Sequence, residues 1–334
     1  MKVFTTYDPK VKNAGFKAKY DIEKILEETY PDCKSITITY DDSLKSQIVG
    51  KYYGIRKILR IMSNIRKGDT VVVQHPLTTQ KKILKNAGRK ICIIHDLDGL
   101  RAGSYEVSSA QIDFIKCFDK IISHNQSMTK VLVDSGIEKE KIVNLELFDY
   151  LCKSSKERKN TFNPKNLKVV YSGNLTEDKC PFIYQLDDLE FDFNVNLYGV
   201  GLDGKRIKNK KKIHEKGCFS PDSPEEIEGD LGLVWDGVVS GFEDENTTKN
   251  YNKYNNPHKL SCYIAAGIPV IVWRKAAIAK FVTDNKIGYL IDSVDEIDKL
   301  EFSDYDEKFK NVQKISKRVK EGYYTKRAMK KAMK

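Results

Sequence analysis

The sequence predicts an α/β protein built from two doubly wound, Rossmann-like domains facing a cleft. Three observations carry this reading. Short apolar runs alternate with stretches of helical spacing. The alternation occurs twice. A polar stretch without periodicity, Cys152–Asn166, separates the two occurrences. Repeated strand, helix, strand patterning builds an open parallel sheet covered on both faces. The 334 residues suit two domains, each able to bury its own core. The boundaries fall at 1–152 and 167–305, with a basic helical tail over 306–334.

In the first half, Ser35–Tyr40, Thr70–Gln74, Ile91–His95, Lys120–Ser123 and Lys141–Leu145 read as strands. Between them Asp21–Glu28, Tyr53–Ile65 and Thr79–Ala87 have helical spacing. In the second half, Lys168–Tyr171 is a strand running into Ser172-Gly173-Asn174, and Phe193–Tyr198 is a strand ending at Gly199. Leu231–Trp235 is a third strand. Lys259–Ala266 is a helix stopped by Gly267, a residue suited to the position after a helix end, and Pro269–Trp273 is the strand that follows.

Composition excludes several classes. The most apolar segment, Leu260–Trp273, is shorter than the ~18–20 residues of a membrane span and contains Gly267 and Pro269. The N-terminal residues show no export signal. The seven cysteines are odd in number and scattered, which is the pattern of reduced thiols in the cytoplasm. The five histidines have no metal-ligand spacing, so no metal is expected. Gly199–Gly204 fits GxGxxG after a strand, but the polybasic Lys205–Lys212 follows where a dinucleotide site needs an apolar helix; a glycine-rich turn explains it. The net charge of +11 is concentrated: Lys308–Lys334 holds eleven Lys and Arg against the single acid Glu321, which leaves +10 there. A solvated helix face or attraction to an anionic surface both fit this charge. Nucleic acid is not the expected partner, because the tail lacks interleaved aromatics and a reading motif.

Parallel strands aim their carboxyl ends at the ligand side of such a sheet. Three segments follow strands or open a helix there. In His95-Asp96-Leu97-Asp98-Gly99-Leu100-Arg101, a carboxylate with His and Arg nearby is a candidate general base; capping of the next helix is the plainer role. In Tyr171–Lys179, Gly173 admits a ligand close to the backbone and Lys179 can neutralise phosphate. In Asn255–Val270, a helix beginning near Pro257 offers N–H groups and a positive dipole end, and Lys259 adds a full charge at the same place; this reads as a diphosphate site. Asn13–Lys17, after the first strand, is a weaker phosphate or acceptor loop.

The chain resembles bacterial galactofuranosyltransferases of O-antigen and capsule assembly, which have the B-type glycosyltransferase (GT-B) fold. The segments that carry the resemblance are Ala14–Ala18, Ile94–Ser104, Ile121–Lys130, Leu147–Leu151, Ser172–Tyr184, Gly232–Gly237 and Tyr254–Trp273, in order along the chain. A related branch glucosylates serine-rich adhesins from UDP-glucose. The resemblance implies an acceptor-side N-terminal domain, a nucleotide-sugar C-terminal domain, a UDP-galactofuranose or other UDP-hexose donor, and no cofactor or metal beyond it. The DxD-like Asp96-Leu97-Asp98 and Asp304-Tyr305-Asp306 are then not metal motifs. His258, Lys259, Leu260 and Ser261 would hold the diphosphate with Lys179; Gly173, Asn174 and Tyr198 would contact the nucleotide; Gly15 would meet the donor phosphates.

Many retaining B-type enzymes carry two glutamates at positions that here are Tyr254 and Cys262. Their absence fits an inverting reaction, which needs a base on the acceptor hydroxyl. Asp96 is that base in this reading, with Asp98 the competitor and His95 and Arg101 orienting it or binding the acceptor. The resemblance further implies a glycan acceptor on a lipid diphosphate, peripheral attachment of the basic tail to anionic lipid at the inner face of the cytoplasmic membrane, and self-association. The alternatives are a UDP-glucose-dependent glucosyltransferase acting on a glycan or serine-rich glycoprotein, a non-catalytic polyanion-binding protein, and a B-type protein that has lost catalysis.

Overall fold

The computed structural model describes residues 1–5, 14–38, 47–76, 80–104, 106–152, 157–241 and 248–334. The chain divides into two compact units, Met1–Glu146 with Tyr324–Lys334, and Leu147–Tyr323.

In unit 1 the elements run β1 (Lys2–Thr5), α1 (Ala14–Thr29), β2 (Lys34–Thr37), α2 (Gln47–Ser63), β3 (Thr70–His75), β4 (Arg89–Ile94), α3 (Asp98–Arg101), α4 (Ser109–Ile115), β5 (Lys120–Ser123), α5 (Gln126–Asp134) and β6 (Ile142–Asn144). The strands form one sheet in the order β2-β1-β3-β4-β5-β6, and every neighbouring pair is parallel. Val71, Val72, Val73, Ile91, Cys92 and Ile94 are fully buried, so the central strands read as continuous apolar runs because both faces are covered. α1 buries Ile22, Ile25 and Leu26 at helical spacing. Of the helix expected over Thr79–Ala87, Thr79 lies outside the described residues and the rest holds only a 3-10 turn at Lys81–Leu84, capped by Lys85; Gly88, beyond it, packs against the backbone of Gly68 too tightly for any side chain.

Unit 2 runs β7 (Lys168–Asn174), α6 (Pro181–Leu186), β8 (Asn194–Val200), β9 (Ile213–Glu215), β10 (Leu231–Val234), α7 (His258–Ala265), β11 (Val270–Trp273), α8 (Ala279–Asp284), β12 (Gly288–Ile291) and α9 (Tyr305–Lys320). Its six-stranded sheet has the order β12-β11-β10-β7-β8-β9, again parallel throughout. One apolar core, including Val169, Tyr171, Phe182, Leu233, Trp235, Ile271 and Ile291, fills it. Gly199 is glycine for a structural reason: it pairs with Gly173 across β7 and β8, and a Cβ there would stand 1.8 Å from the Gly173 carbonyl oxygen. The GxGxxG segment is thus a strand end and a turn, with no helix after it.

The final helix, α10 (Tyr323–Ala332), belongs almost wholly to unit 1. Ala328, Met329 and Ala332 are fully buried, Arg327 pairs with Glu146 at 2.8 Å, and Arg89 donates to the Met333 carbonyl. The basic 306–334 segment is therefore not a separate appendage. α9 buries Tyr305, Phe309, Val312, Ile315 and Val319 in unit 2, α10 packs in unit 1, and most of the lysines face outward, while Lys308 is folded over the Tyr289 ring beside Asp304. The other basic cluster is also pinned to the fold: Lys208 pairs with Asp188 at 2.8 Å, Arg206 with Glu177, and the Asp187 carboxylate accepts from the Lys208 and Asn209 amides.

Candidate functional site

In unit 2 the chain winds outward from β7 through β8 to β9, then returns to the other side of β7 for β10. Ligands of open parallel sheets bind outside the strand ends at such a reversal. Tyr171 lies at the middle of β7, just beyond its last register pair with β10, and Trp235 and Asp236 directly follow β10. Into this point projects Lys259, from the first turn of α7. Its Nζ donates to Asp236 Oδ1 at 2.6 Å, to Tyr171 Oη at 3.1 Å and to the Trp235 carbonyl at 3.2 Å. It also stands 4.2 Å from the Tyr171 ring centroid, a cation–π distance. The lysine side chain is 17% exposed and that of Asp236 is 40% exposed. A mostly buried ammonium is thus fixed before any anion arrives, and its carboxylate partner keeps access to water. Burial, then the Asp236 charge, drives the Tyr171 phenol well above its usual pKa, so it stays a neutral hydroxyl. Cys180 is pushed up to about 12 by burial, with Lys259 pulling against it, so the thiol is no nucleophile.

The other expected donor contacts divide by what their side chains do. Gly173, at φ 149°, has open space where a Cβ would point, so its backbone is approachable. Asn174 uses its Oδ1 to accept from the Thr176 amide at 2.9 Å, which shapes the turn after β7. Lys179 is exposed, 3.6 Å from Asp178. Tyr198 is buried, its hydroxyl accepts from the Glu228 amide at 3.0 Å, and its ring meets Phe219 edge-on; its side chain packs the fold. Around α7, His258 stacks on Tyr150 at 5.0 Å, Leu260 is fully buried, and the Ser261 hydroxyl donates to the Phe148 carbonyl at 2.7 Å. The side chains of His258, Leu260 and Ser261 therefore anchor the helix, and this turn offers a ligand the Lys259 ammonium and the backbone N–H groups of a helix start. A cavity of about 620 Å³ lies at the opposite end of the same elements, by Lys168 and Ala265–Ala266. There Arg158 donates to the Ile227 and Gly229 carbonyls at 2.9 and 2.6 Å and fastens the incoming chain.

Unit 1 has its own polar cluster at the strand ends. Asp96 follows β4 and is ion-paired with Arg101 of α3, whose side chain is 63% exposed. Burial raises the Asp96 carboxyl above the usual range, with Arg101 and Lys19 opposing; the same causes raise Asp98 to a higher range than usual. Burial lowers Lys19, with Asp96 the main influence against it. His95 Nε2 lies 2.7 Å from Gln74 Oε1, and Gln74 Nε2 donates to the Lys19 carbonyl at 3.1 Å, so His95 carries its proton on Nε2. Gly15 lies in the first turn of α1, and the loop residue Asn13 falls outside the described residues.

Sequence reasoning gave no role to Lys19 or Gln111, and named Tyr171 and Asp236 only as members of the segments Tyr171–Lys179 and Gly232–Gly237. Asp236 was findable, since it is the first charge after a buried strand, the signal that marked Asp96. Among the described residues no group of three or more His, Cys, Asp or Glu side chains could hold a metal, and no helix is long and apolar enough to cross a membrane.

Comparison with known proteins extends the picture over both units. Residues 1–147 match the model of the glucosyltransferase 3-like N-terminal domain, and residues 169–332 match that of the C-terminal domain. The beta-1,6-galactofuranosyltransferase WbbI of Escherichia coli strain K12 is 32% identical over 333 residues, 94% of this chain and 92% of that protein. The apo lipopolysaccharide outer core galactosyltransferase WaaB has a similar fold, with a TM-score of 0.62 at 13% identity over 100% of this chain and 99% of that one. So has HepE of Anabaena in complex with UDP and glucose, with a TM-score of 0.55 at 10% identity over 100% and 97%. These likenesses establish the B-type glycosyltransferase fold, and the identity to WbbI along nearly the whole sequence establishes the family. This chain belongs to the glucosyltransferase 3-like family of glycosyltransferases.

Proposed function

We propose that the enzyme transfers galactofuranose from UDP-galactofuranose to a sugar acceptor of a bacterial surface polysaccharide, O-antigen or capsule, with inversion and without a metal. The observation that carries this is Lys259, a cation on a helix start at the strand-order reversal of unit 2, in a chain similar to WbbI over both units. As the glycosidic bond breaks, charge grows on the departing UDP. Lys259 and the N–H groups beginning α7 would stabilise that charge from fixed positions, which is where electrostatic catalysis gains most. Asp236 would surrender part of its hold on the ammonium to the diphosphate.

In this reading Asp96 takes the proton of the acceptor hydroxyl as that oxygen attacks the anomeric carbon. A carboxyl raised by burial is the better base, and Arg101 keeps it ionised and aimed. Asp98 is the competing base. The acceptor would be carried on a lipid diphosphate at the inner face of the cytoplasmic membrane, with the outward lysines of α9 and α10 held to anionic lipid at ~1 kcal/mol per basic residue near the surface. Self-association belongs to the same reading.

A second reading, transfer of glucose from UDP-glucose, is favoured by the glucosyltransferase 3-like description of both matched domains. The test is UDP release from UDP-galactofuranose, UDP-galactopyranose, UDP-glucose and UDP-N-acetylglucosamine, with and without EDTA, by the wild-type chain and Asp96→Asn. Release from UDP-galactofuranose alone, indifferent to EDTA and lost in the variant, is the expected result. Turnover of UDP-glucose alone would move the function to the second reading. Full activity in Asp96→Asn would remove Asp96 from the mechanism.

A further inference from the structure

The backbone that presents Asp96 is gripped on both sides of Leu97 by a buried side chain. Gln111 of α4 is 2% exposed. Its Oε1 accepts from the Asp98 amide at 3.1 Å, and its Nε2 donates to the Asp96 carbonyl at 3.3 Å. One amide thus grips the turn on both sides of Leu97. The remaining N–H of Nε2 points at His75 Nε2, 2.7 Å away. That ring nitrogen must accept, so the neutral ring has its proton on Nδ1. Among the described residues Nδ1 has no partner, and the ring is tilted against Phe114 at 5.8 Å. Both N–H groups and the carbonyl oxygen of the Gln111 head are therefore engaged, in one orientation only.

The arrangement has a direction. His75 ends β3, Gln111 sits on α4, and Asp96 follows β4, so two strand ends and a helix converge on the turn. Gly99, one residue beyond Asp98, admits the Glu106 carbonyl where a Cβ would stand 2.3 Å from it, which draws the loop leading to α4 onto α3. The buried Leu97 side chain and the amides of Arg101 and Ala102, which donate to the Leu97 and Asp98 carbonyls at 2.9 Å, anchor the far side of the turn, and Gln111 holds the Asp96 carbonyl and the Asp98 amide. A positioned base loses its advantage with displacements of an ångström.

We propose that Gln111 is the positioning residue of the catalytic turn: it fixes the main chain on both sides of Leu97, with His75 orienting its amide, so that the Asp96 carboxylate meets the acceptor hydroxyl in one geometry. This rests on the reading of Asp96 as the base. Gln111 touches no reacting atom, so its removal should lower turnover without weakening donor binding.

The test uses the full chain and three variants, Gln111→Leu, Gln111→Glu and Asp96→Asn. UDP release by hydrolysis of UDP-galactofuranose and UDP-glucose is followed from pH 5 to 9, and UDP affinity is measured by calorimetry. The ionisable groups around the turn are Lys19 from α1, His75 from β3, His95 directly after β4, and Asp96, Asp98 and Arg101 of the turn itself. Gln111→Leu should lower kcat at least tenfold, leave the donor KM and UDP affinity within twofold, and move the acid limb of kcat to lower pH, because a loosened Asp96 is better hydrated. Gln111→Glu keeps the acceptor for the Asp98 amide and loses both donors when ionised. Its kcat should therefore lie between those of the wild type and the leucine variant, and approach the wild type as pH falls. If Gln111→Leu does not bind UDP, the glutamate variant carries the test by the same criteria. Wild-type kcat in both Gln111 variants, with Asp96→Asn inactive, overturns the positioning role alone. An active Asp96→Asn overturns the base reading on which it rests. No UDP release by the wild type from either donor overturns both.

Discussion

Replacing Lys259 by methionine keeps most of the aliphatic stem over the Tyr171 ring and removes the charge. Three contacts disappear together, to Asp236, Tyr171 and the Trp235 carbonyl. For the resting protein the consequence is small. Asp236 loses a cation but, at 40% exposure, can turn its charge to water, and Tyr171 keeps Asp236 Oδ1 at 3.4 Å. The lost cation–π contact is worth about 0.5–1 kcal/mol, so the melting temperature should fall by only about 1–4 °C. For the reaction the consequence is large. Removing one fixed donor from a site of developing negative charge costs about 10²–10³-fold in turnover. The assay is UDP release from the preferred donor, paired with UDP titration by calorimetry and a melting curve. Expected are a 10²–10³-fold loss of kcat/KM, a weaker UDP complex and a nearly unchanged melt. Turnover within threefold of wild type would falsify the assignment of Lys259 to the diphosphate. A collapsed melt would show that the lysine is a structural buried cation instead.

The remaining predictions concern stability and surface. Burial lowers both His75 and His124 to about 4, from an ordinary value near 6.5. Their contribution to stability is therefore whole above pH 6.5 and is lost as pH falls toward 4. Each should cost about 2 kcal/mol at pH 5, read as a lower urea midpoint for unit 1 than at pH 7; an unchanged midpoint would mean the rings are charged in the fold. Tyr263→Phe removes a fully buried hydroxyl that accepts from the Ser172 amide at 2.8 Å beside the end of β7. It should cost about 1–3 kcal/mol and weaken UDP binding, and a neutral melt would show that water or a rotated Ser172 fills the gap. Pelleting with vesicles should occur with anionic lipid and not with neutral lipid, and should fade at high salt; equal behaviour with both would end the membrane reading.

Much of the fold was legible because its signals are local. Val71–Val73, Ile91–Ile94 and Val270–Trp273, at the hearts of β3, β4 and β11, are buried on both faces, so they show as unbroken apolar runs. α7 was placed to within a residue by Pro257 ahead of it and Gly267, at φ 74°, behind it. β9 and β12 passed unnoticed: Ile213–Glu215 is a short edge strand with one buried residue, and the alternation in Gly288–Ile291 is too brief to stand out. The candidate sites were legible to the same depth. Lys259 and Asp96 announce themselves by standing at element ends, where a charge has few structural excuses. The use made of Tyr198 and Ser261 does not, since it depends on Glu228 and Phe148, far away in sequence. Gln111 looks like any polar residue at a helix start until the turn it grips is folded against it.

The return of α10 to unit 1 bears on how the protein is made. A ribosome delivers residues 1–146 first, yet Ala328, Met329 and Ala332, which complete that unit's interior, are added only after all of unit 2 has been synthesised. The usual order, in which the domain that emerges first finishes first, is thereby inverted. Unit 2 can close on itself as it emerges, while unit 1 waits with an uncovered apolar groove and a Glu146 carboxylate that has not yet met Arg327. The nascent first half is a natural client for a holding chaperone. A synthesis stalled before Tyr324 would yield a product with an open apolar surface, which quality control can recognise and remove.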